Sequence, residues 1–194
     1  MDHVNARLCS QNEHKRAELA RVLHGWRIEL LDVDGYPPEV GDTFFENARA
    51  KARFGREIGP ADAWMLGEDS GLELGALGGR PGVETARWAA GRHVERALEA
   101  LAGEANRSAR YVCELVALSP EGLEVRGTGT LVGHVALEPR GNEGFGFDPV
   151  FVPDGEQATV AELGDAWKAE HSHRARAARA LLESLAASKL DMAE

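Results

Sequence analysis

Glu68 and Asp69 stand side by side between the apolar run 63–66 and Ser70-Gly71-Leu72. The run predicts a strand. Strand side chains alternate faces, so the two acids should point in different directions where that strand ends. Strand ends in α/β sheets are where ligands sit. One carboxylate can then hold a metal while the other takes a proton. A solvated acidic turn between two strands fits the same spacing, because acids mark function only statistically.

Three further clusters carry possible chemistry. Ser10-Gln11-Asn12-Glu13-His14-Lys15 lies between a weak strand pattern at 4–9 and an amphipathic pattern at Leu19, Val22 and Leu23. Ser10 or Asn12 can cap the helix. Free N–H groups and the positive dipole end at a helix start suit phosphate, and Lys15 adds a charge there. The glycines of a Walker loop are missing. A capped surface helix with an ordinary Lys is the plainer reading.

Gly144-Phe145-Gly146-Phe147-Asp148-Pro149 sets two aromatics around glycine beside an acid. Phe147 can stack on a base, a contact of about 1–3 kcal/mol, and Asp148 can accept from a base N–H. A turn with two core Phe residues fits equally. Finally, Ser172 reads as an N-cap that puts His173 and Arg174 in a first helical turn, with Lys168 just upstream. Cations are disfavoured at that end of a helix, so an anion or polar ligand would compensate. The Arg fork suits a keto oxygen or a phosphate. A partly solvated basic patch is the alternative.

The elements that must position these groups follow from periodicity and turn chemistry. Residues 27–33 alternate as a strand, and 34–42 form a loop. Thr43 and Glu46 make a capping box for a helix over 44–55. Phe44, Ala48, Lys51 and Ala52 form one stripe of it, with Phe45, Asn47 and Arg49 elsewhere. Asn47, a poor helix former, either faces solvent or makes a specific bond near the strand ends. A Gly-rich loop spans 74–82, a short helix 83–88, and a longer one 93–102. Residues 110–118 and 123–137 read as a hairpin long enough for an arm or second lobe. Gly127, Gly129 and Gly133 suggest bends or bulges in it. A strand over 150–152 follows, then a short helical piece from Thr159 to Leu163. A last helix starts near Ser172 and passes Leu185, and the tail 189–194 is expected to fray.

With 194 residues, 43% hydrophobic and 28% charged, the chain suits one domain over 1–194 with a full core. A formal charge of -10 repels nucleic acid. An anionic small molecule stays possible where Lys, Arg and a metal gather. Cys9 and Cys113 lack metal-ligand spacing and read as buried free thiols in a reducing compartment. No apolar run reaches membrane-span length. The N-terminal residues lack a signal-peptide pattern, so a cytoplasmic location is the default.

Together, in collinear order, these segments resemble the non-canonical purine nucleoside triphosphate pyrophosphatases, the ITP/XTP pyrophosphatase (HAM1-like) group. The resemblance rests on Ser10-Gln11-Asn12 with Lys15, residues 44–48 with Lys51-Ala52, residues 68–72, and residues 77–83 with Ala86-Arg87. It continues through residues 144–149 and Ala161-Glu162-Leu163, then Lys168 and Ser172-His173-Arg174. It implies a two-lobed α/β fold with a long curved mixed sheet, helices on its flanks and a cleft between the lobes. It also implies a homodimer, Mg²⁺, and conversion of NTP and water to NMP and pyrophosphate. Asp69 would accept the proton and lie at the metal with Glu39. Residues Ser10, Gln11, Asn12, Glu13, His14 and Lys15 would hold the triphosphate. Ser70, Phe145, Gly146, Phe147, Asp148, Lys168, His173 and Arg174 would fill the remaining substrate positions. Lys15 and Lys168 would neutralise the leaving pyrophosphate, and Arg174 with His173 would face the purine O6.

The chain departs from the family pattern at Gln11, usually Gly, at Glu68, commonly Asp, and at Phe147, usually Tyr. The rival expectations are a pyrophosphatase of similar fold for pyrimidine or modified nucleotides, and a nucleotide-binding regulator without turnover.

Overall fold

The computed structural model describes residues 3–191. The part of the expected frayed tail beyond Asp191 lies outside them. Strands β1 (Val4–Leu8), β2 (Trp26–Leu30), β3 (Trp64–Leu74), β4 (Ser108–Leu118), β5 (Glu124–Val135) and β6 (Phe151–Pro153) form one six-stranded sheet. The order is β2-β1-β3-β4-β5-β6. The β1–β2 and β1–β3 pairs are parallel and the rest antiparallel, so the sheet is mixed.

Six helices flank the sheet: α1 (Glu13–Val22), α2 (Phe44–Ile58), α3 (Thr85–Ala89), α4 (His93–Ala100), α5 (Val160–His171) and α6 (His173–Asp191). The expected caps form. Asn12 Oδ1 accepts from the His14 and Lys15 amides, and Thr43–Glu46 closes a full capping box. Ser172 Oγ accepts from the Ala175 amide. Thr159 caps α5, and Gly164 at φ 80 breaks that helix one residue after Leu163.

Three expectations are corrected. Glu68 and Asp69 lie inside β3, which runs unbroken from Trp64 to Leu74. The strand that ends nearby is β1: it pairs with β3 only as far as Leu8↔Leu66 and then turns into α1. Of the two expectations for the long hairpin, the arm is ruled out, while its far half does lie in a second core with α3 and α4. β4 sits between β3 and β5 and pairs with both over most of its length. Nor do Gly127 and Gly129 mark bulges, since the β4–β5 register is uninterrupted from Ser108↔His134 to Leu118↔Glu124. They admit α6 instead. A Cβ at Gly127 would overlap the Ala177 carbonyl oxygen, and one at Gly129 the His173 carbonyl oxygen.

This close approach fixes where His173 and Arg174 stand. Gly129→Ala should destabilise the fold by about 1–3 kcal/mol, the usual range for overpacking. A urea midpoint equal to wild type would show that α6 is free to shift.

On the opposite face α2 covers β3 and β4. Ala48 and Ala52 are fully buried there, packed with Val116. Asn47 belongs to this buried face, not apart from it, at 3% exposed. Phe45 lies towards the sheet edge, under the guanidinium of Arg126. β3 therefore passes between α2 and α6. Because its side chains alternate, Asp69 meets α2 while Glu68 meets α1 and α6.

Candidate active site

At one end of the site Asp69 is 4% exposed. Asn47 Nδ2 donates to its Oδ2 at 3.1 Å, and Lys51 Nζ donates to its Oδ1 at 3.0 Å. Lys51 also donates to the Glu68 carbonyl at 3.0 Å and contacts the Glu39 carboxylate. One ammonium thus lies where the carboxylates of Glu39 and Asp69 converge. Asn47 and Lys51 reach this point together because they are one turn apart on α2. Burial pushes the Asp69 carboxyl up, Lys51 opposes this, and the charges of Glu39 and Glu68 add to the rise. That direction suits a proton acceptor. Burial would lower the Lys51 ammonium, but Asp69 and Glu39 raise it, so it stays charged.

From there a chain of alternating charges runs under the cleft. Glu68 is fully buried and accepts from Lys15 Nζ at 2.5 Å, and from Arg174 Nε and Nη2 at 3.1 and 2.9 Å. Arg174 also donates to Glu18 at 2.5 Å and to Ser70 Oγ at 3.0 Å. Lys168 lies between Glu18 and Asp148, at 2.5 and 2.6 Å. Burial would raise the Glu68 carboxyl, yet Lys15 and Arg174 hold it well below the usual carboxylate range. Burial likewise works against Glu18, yet Arg174 and Lys168 hold it down to about 2.

The other end is aromatic. His173 stacks on Tyr111 with centroids 4.5 Å apart and planes 12° apart. Its Nδ1 is the one fully buried side-chain nitrogen or oxygen without a hydrogen-bond partner among the described residues. Burial, with Arg174 adding, pushes this imidazole down to about 3, so it is neutral near pH 7. Phe145 has Lys168 Nζ 4.9 Å and Arg174 Cζ 5.6 Å from its ring centroid. Gly144 at φ 76 permits this packing, because a Cβ there would overlap Asp148 Oδ2.

Between these ends lies a cleft of about 340 Å³. Ser10, Gln11, Asn12, Lys15, Glu39, Ser70, Phe145, Gly146, Phe147, Asp148, Lys168, His173 and Arg174 all line it. Asp69 stands directly behind Lys51, which lines it too. Two expected residues lie apart. Glu13 is exposed and bonded to Arg16 at 2.6 Å. His14 is exposed and stacks on Phe145 with centroids 5.0 Å apart.

Other placements differ from expectation in detail. Phe147 is 4% exposed and packs against Trp88, His93 and Tyr111, so little of its ring is free to stack on a ligand. Asp148 already accepts from Lys168, from Tyr111 Oη at 3.3 Å and from the Phe145 amide at 2.9 Å. Lys168 sits at the aromatic end, away from the acids of β3. Most Arg174 donors are committed to Glu68, Glu18 and Ser70.

Sequence reasoning missed Glu18 and Tyr111, gave Lys51 no site role, and left Asn47 between solvent and a specific bond, which turns out to be the bond to Asp69. Glu18 had a signal: it follows Lys15 at i,i+3, hence on the same helix face. Tyr111 had none, since its role depends on strand pairing.

The buried ionisable groups predict a pH dependence. Glu18 at about 2 and His173 at about 3 lie below their ordinary values of 4.5 and 6.5. The unfolded chain therefore binds more protons over those intervals, and stability falls as pH falls. Asp69 and Asp148, raised by burial, oppose this only in the carboxylate range. The urea midpoint should therefore fall between about pH 7 and pH 5 through His173, and fall less in His173→Asn. A flat wild-type profile over that range would contradict a neutral buried imidazole.

Among the described residues no three acidic, His or Cys side chains gather as a metal site; the carboxylates that converge are the pair Glu39 and Asp69. Mg²⁺ takes a small number of carboxylates and keeps waters or phosphate oxygens for its other positions. Glu39 and Asp69 already share one positive group, the Lys51 ammonium.

Sheet, cleft and charge chain define an α/β protein whose cleft is lined by aromatic side chains at one end and by paired charges at the other. The Ham1 family's sequence model matches residues 6–184, and the chain belongs to the Ham1 family. It is 41% identical over 179 residues to a dITP/XTP pyrophosphatase of Gloeobacter violaceus, covering 90% of this chain and 91% of that one. It is 42% identical over 193 residues to a dITP/XTP pyrophosphatase of Mycobacterium tuberculosis, covering 92% and 93%. A solved structure of a HAM1 protein from Coxiella burnetii superimposes with a TM-score of 0.79 at 32% identity, covering 96% of this chain and 99% of that one.

Proposed function

We propose that the protein hydrolyses non-canonical purine nucleoside triphosphates, namely ITP, dITP and XTP, to the monophosphate and pyrophosphate. Such an activity cleanses the nucleotide pool. The observation that carries this reading is the neutral imidazole of His173, stacked on Tyr111 at the aromatic end of the cleft whose other end holds Lys51, Glu39 and Asp69. A neutral imidazole carries one N–H that can donate to a 6-oxo group, where adenine carries an amino group.

The other residues take separate tasks. Arg174 holds Glu68 and Ser70 in place; burial, with Arg174 adding, keeps His173 neutral, and base recognition falls first to His173. Lys15 and Lys51 carry the positive charge that faces a triphosphate. Asp69, desolvated and aligned by Asn47, takes the proton of the water that attacks the α-phosphorus. Glu39 and Asp69 would hold Mg²⁺, which supplies charge neutralisation at the phosphates and a more acidic water. The resemblance further leads us to propose a homodimer in the cytoplasm; sedimentation as a monomer at assay concentrations would count against the dimer.

The test is pyrophosphate release over ITP, dITP, XTP, GTP, ATP, dUTP and dTTP, with and without Mg²⁺. Fast release from the inosine and xanthosine substrates, dependent on Mg²⁺, is expected. Faster turnover of dUTP or dTTP than of dITP would favour a pyrimidine-directed enzyme, and binding without release would favour a regulator.

A further inference from the structure

We propose that Arg87 is a positioning residue that sets Glu39 against Lys51 and Asp69 by holding the loop backbone from the far wall of the cleft. The inference rests on the proposed function, in which Glu39 serves the metal end.

The loop between β2 and α2 has no regular structure of its own, and its ties are sparse. Tyr36 Oη donates to the Leu31 carbonyl at 2.8 Å. The Gly41 amide donates to Asn47 Oδ1 at 2.8 Å. Between these points, Arg87 Nη1 donates to the Glu39 carbonyl at 3.0 Å. Glu39 is thus gripped twice: Lys51 holds its carboxylate and Arg87 its backbone. Without the second grip the loop swings between Tyr36 and Gly41, and the carboxylate swings with it.

Arg87 has a firm base. It belongs to α3, whose first residue, Thr85, is 7% exposed. Thr85 Oγ1 accepts from the Leu72 amide at 2.9 Å and donates to the Gly82 carbonyl at 2.6 Å. Leu72 lies on β3, the strand that carries Asp69. The prop is therefore tied to the strand that carries the proton acceptor, while the loop has no regular structure. Trp88, next to Arg87, packs on Phe147 with centroids 6.3 Å apart. The ion pair of Arg87 with Glu84, at 3.9 Å and exposed, adds little by itself.

The test uses Mn²⁺ as probe, with loss of the free-ion electron paramagnetic signal reporting binding without turnover. Arg87 is exposed, so Arg87→Ala should fold, and far-UV circular dichroism checks it. This variant should bind Mn²⁺ about three- to tenfold more weakly, the range for one lost hydrogen bond of about 0.5–1.5 kcal/mol. With ITP its kcat should fall by a similar factor while KM stays near wild type. Arg87→Lys, which keeps a donor, should recover most of both losses. In a Glu39→Gln background, Arg87→Ala should have no further effect, because two changes acting through one group are not additive.

Mn²⁺ binding by Arg87→Ala equal to wild type, or an equal loss in the Glu39→Gln background, would overturn the role of Arg87. Wild-type protein that releases no pyrophosphate would instead overturn the proposed function, and the Mn²⁺ comparison still decides Arg87.

Discussion

Asp69→Asn should lower ITP turnover by about a hundred- to ten-thousandfold, the range for loss of a positioned acid–base group. ITP binding should remain. The substitution keeps the shape of the side chain. The amide oxygen can still accept from Asn47, so the link from Asn47 Nδ2 to β3 is retained. What disappears is the basic lone pair that burial has made more willing to take a proton. Lys51 loses one anionic partner but keeps Glu39 and the Glu68 carbonyl. Single-turnover rates and equilibrium binding of ITP separate the two effects. A variant turning over at near wild-type rates would remove Asp69 from the chemistry.

Arg174→Met should destabilise the protein by about 3–5 kcal/mol, the range for breaking a buried ion pair by removing one partner. Glu68 is fully buried and Glu18 is 8% exposed, so neither carboxylate regains water when the guanidinium goes. Each retains one ammonium, Lys15 for Glu68 and Lys168 for Glu18, which argues for the lower part of that range. Adding Glu18→Gln should recover part of the loss, since it removes one of the stranded charges. Urea denaturation at constant m measures both. A loss under about 1 kcal/mol, the scale of an exposed ion pair, would mean that water reaches the network.

The two carboxylates illustrate what sequence could and could not tell. Alternation predicted that Glu68 and Asp69 diverge, and they do, because period-two geometry is local. That they sit mid-strand was hidden. The open side beside them exists because β1 stops at Leu8, and that depends on which strand pairs with β3. Caps at Asn12, Thr43 and Ser172 were readable for the same local reason: each side chain bonds an amide two or three residues on. Gly127 and Gly129 misled, because glycine signals close approach as readily as a bend, and only the position of α6 decides. Asn47 looked out of place in a helix. Its two bonds, to Gly41 and Asp69, explain the misfit, and both partners are distant in sequence or on another element. Arg174 was expected to offer its fork to a ligand. Most of that fork is spent inside the protein, a fact set by Glu18 and Glu68 converging from α1 and β3.

Hydrolysis of ITP in water labelled with heavy oxygen tests the central claim most directly. With Asp69 beside the α-phosphorus, the label should appear in inosine monophosphate and the pyrophosphate should be unlabelled. Label in the pyrophosphate, or release of inorganic phosphate with a diphosphate product, would place the attack at another phosphorus and contradict the account.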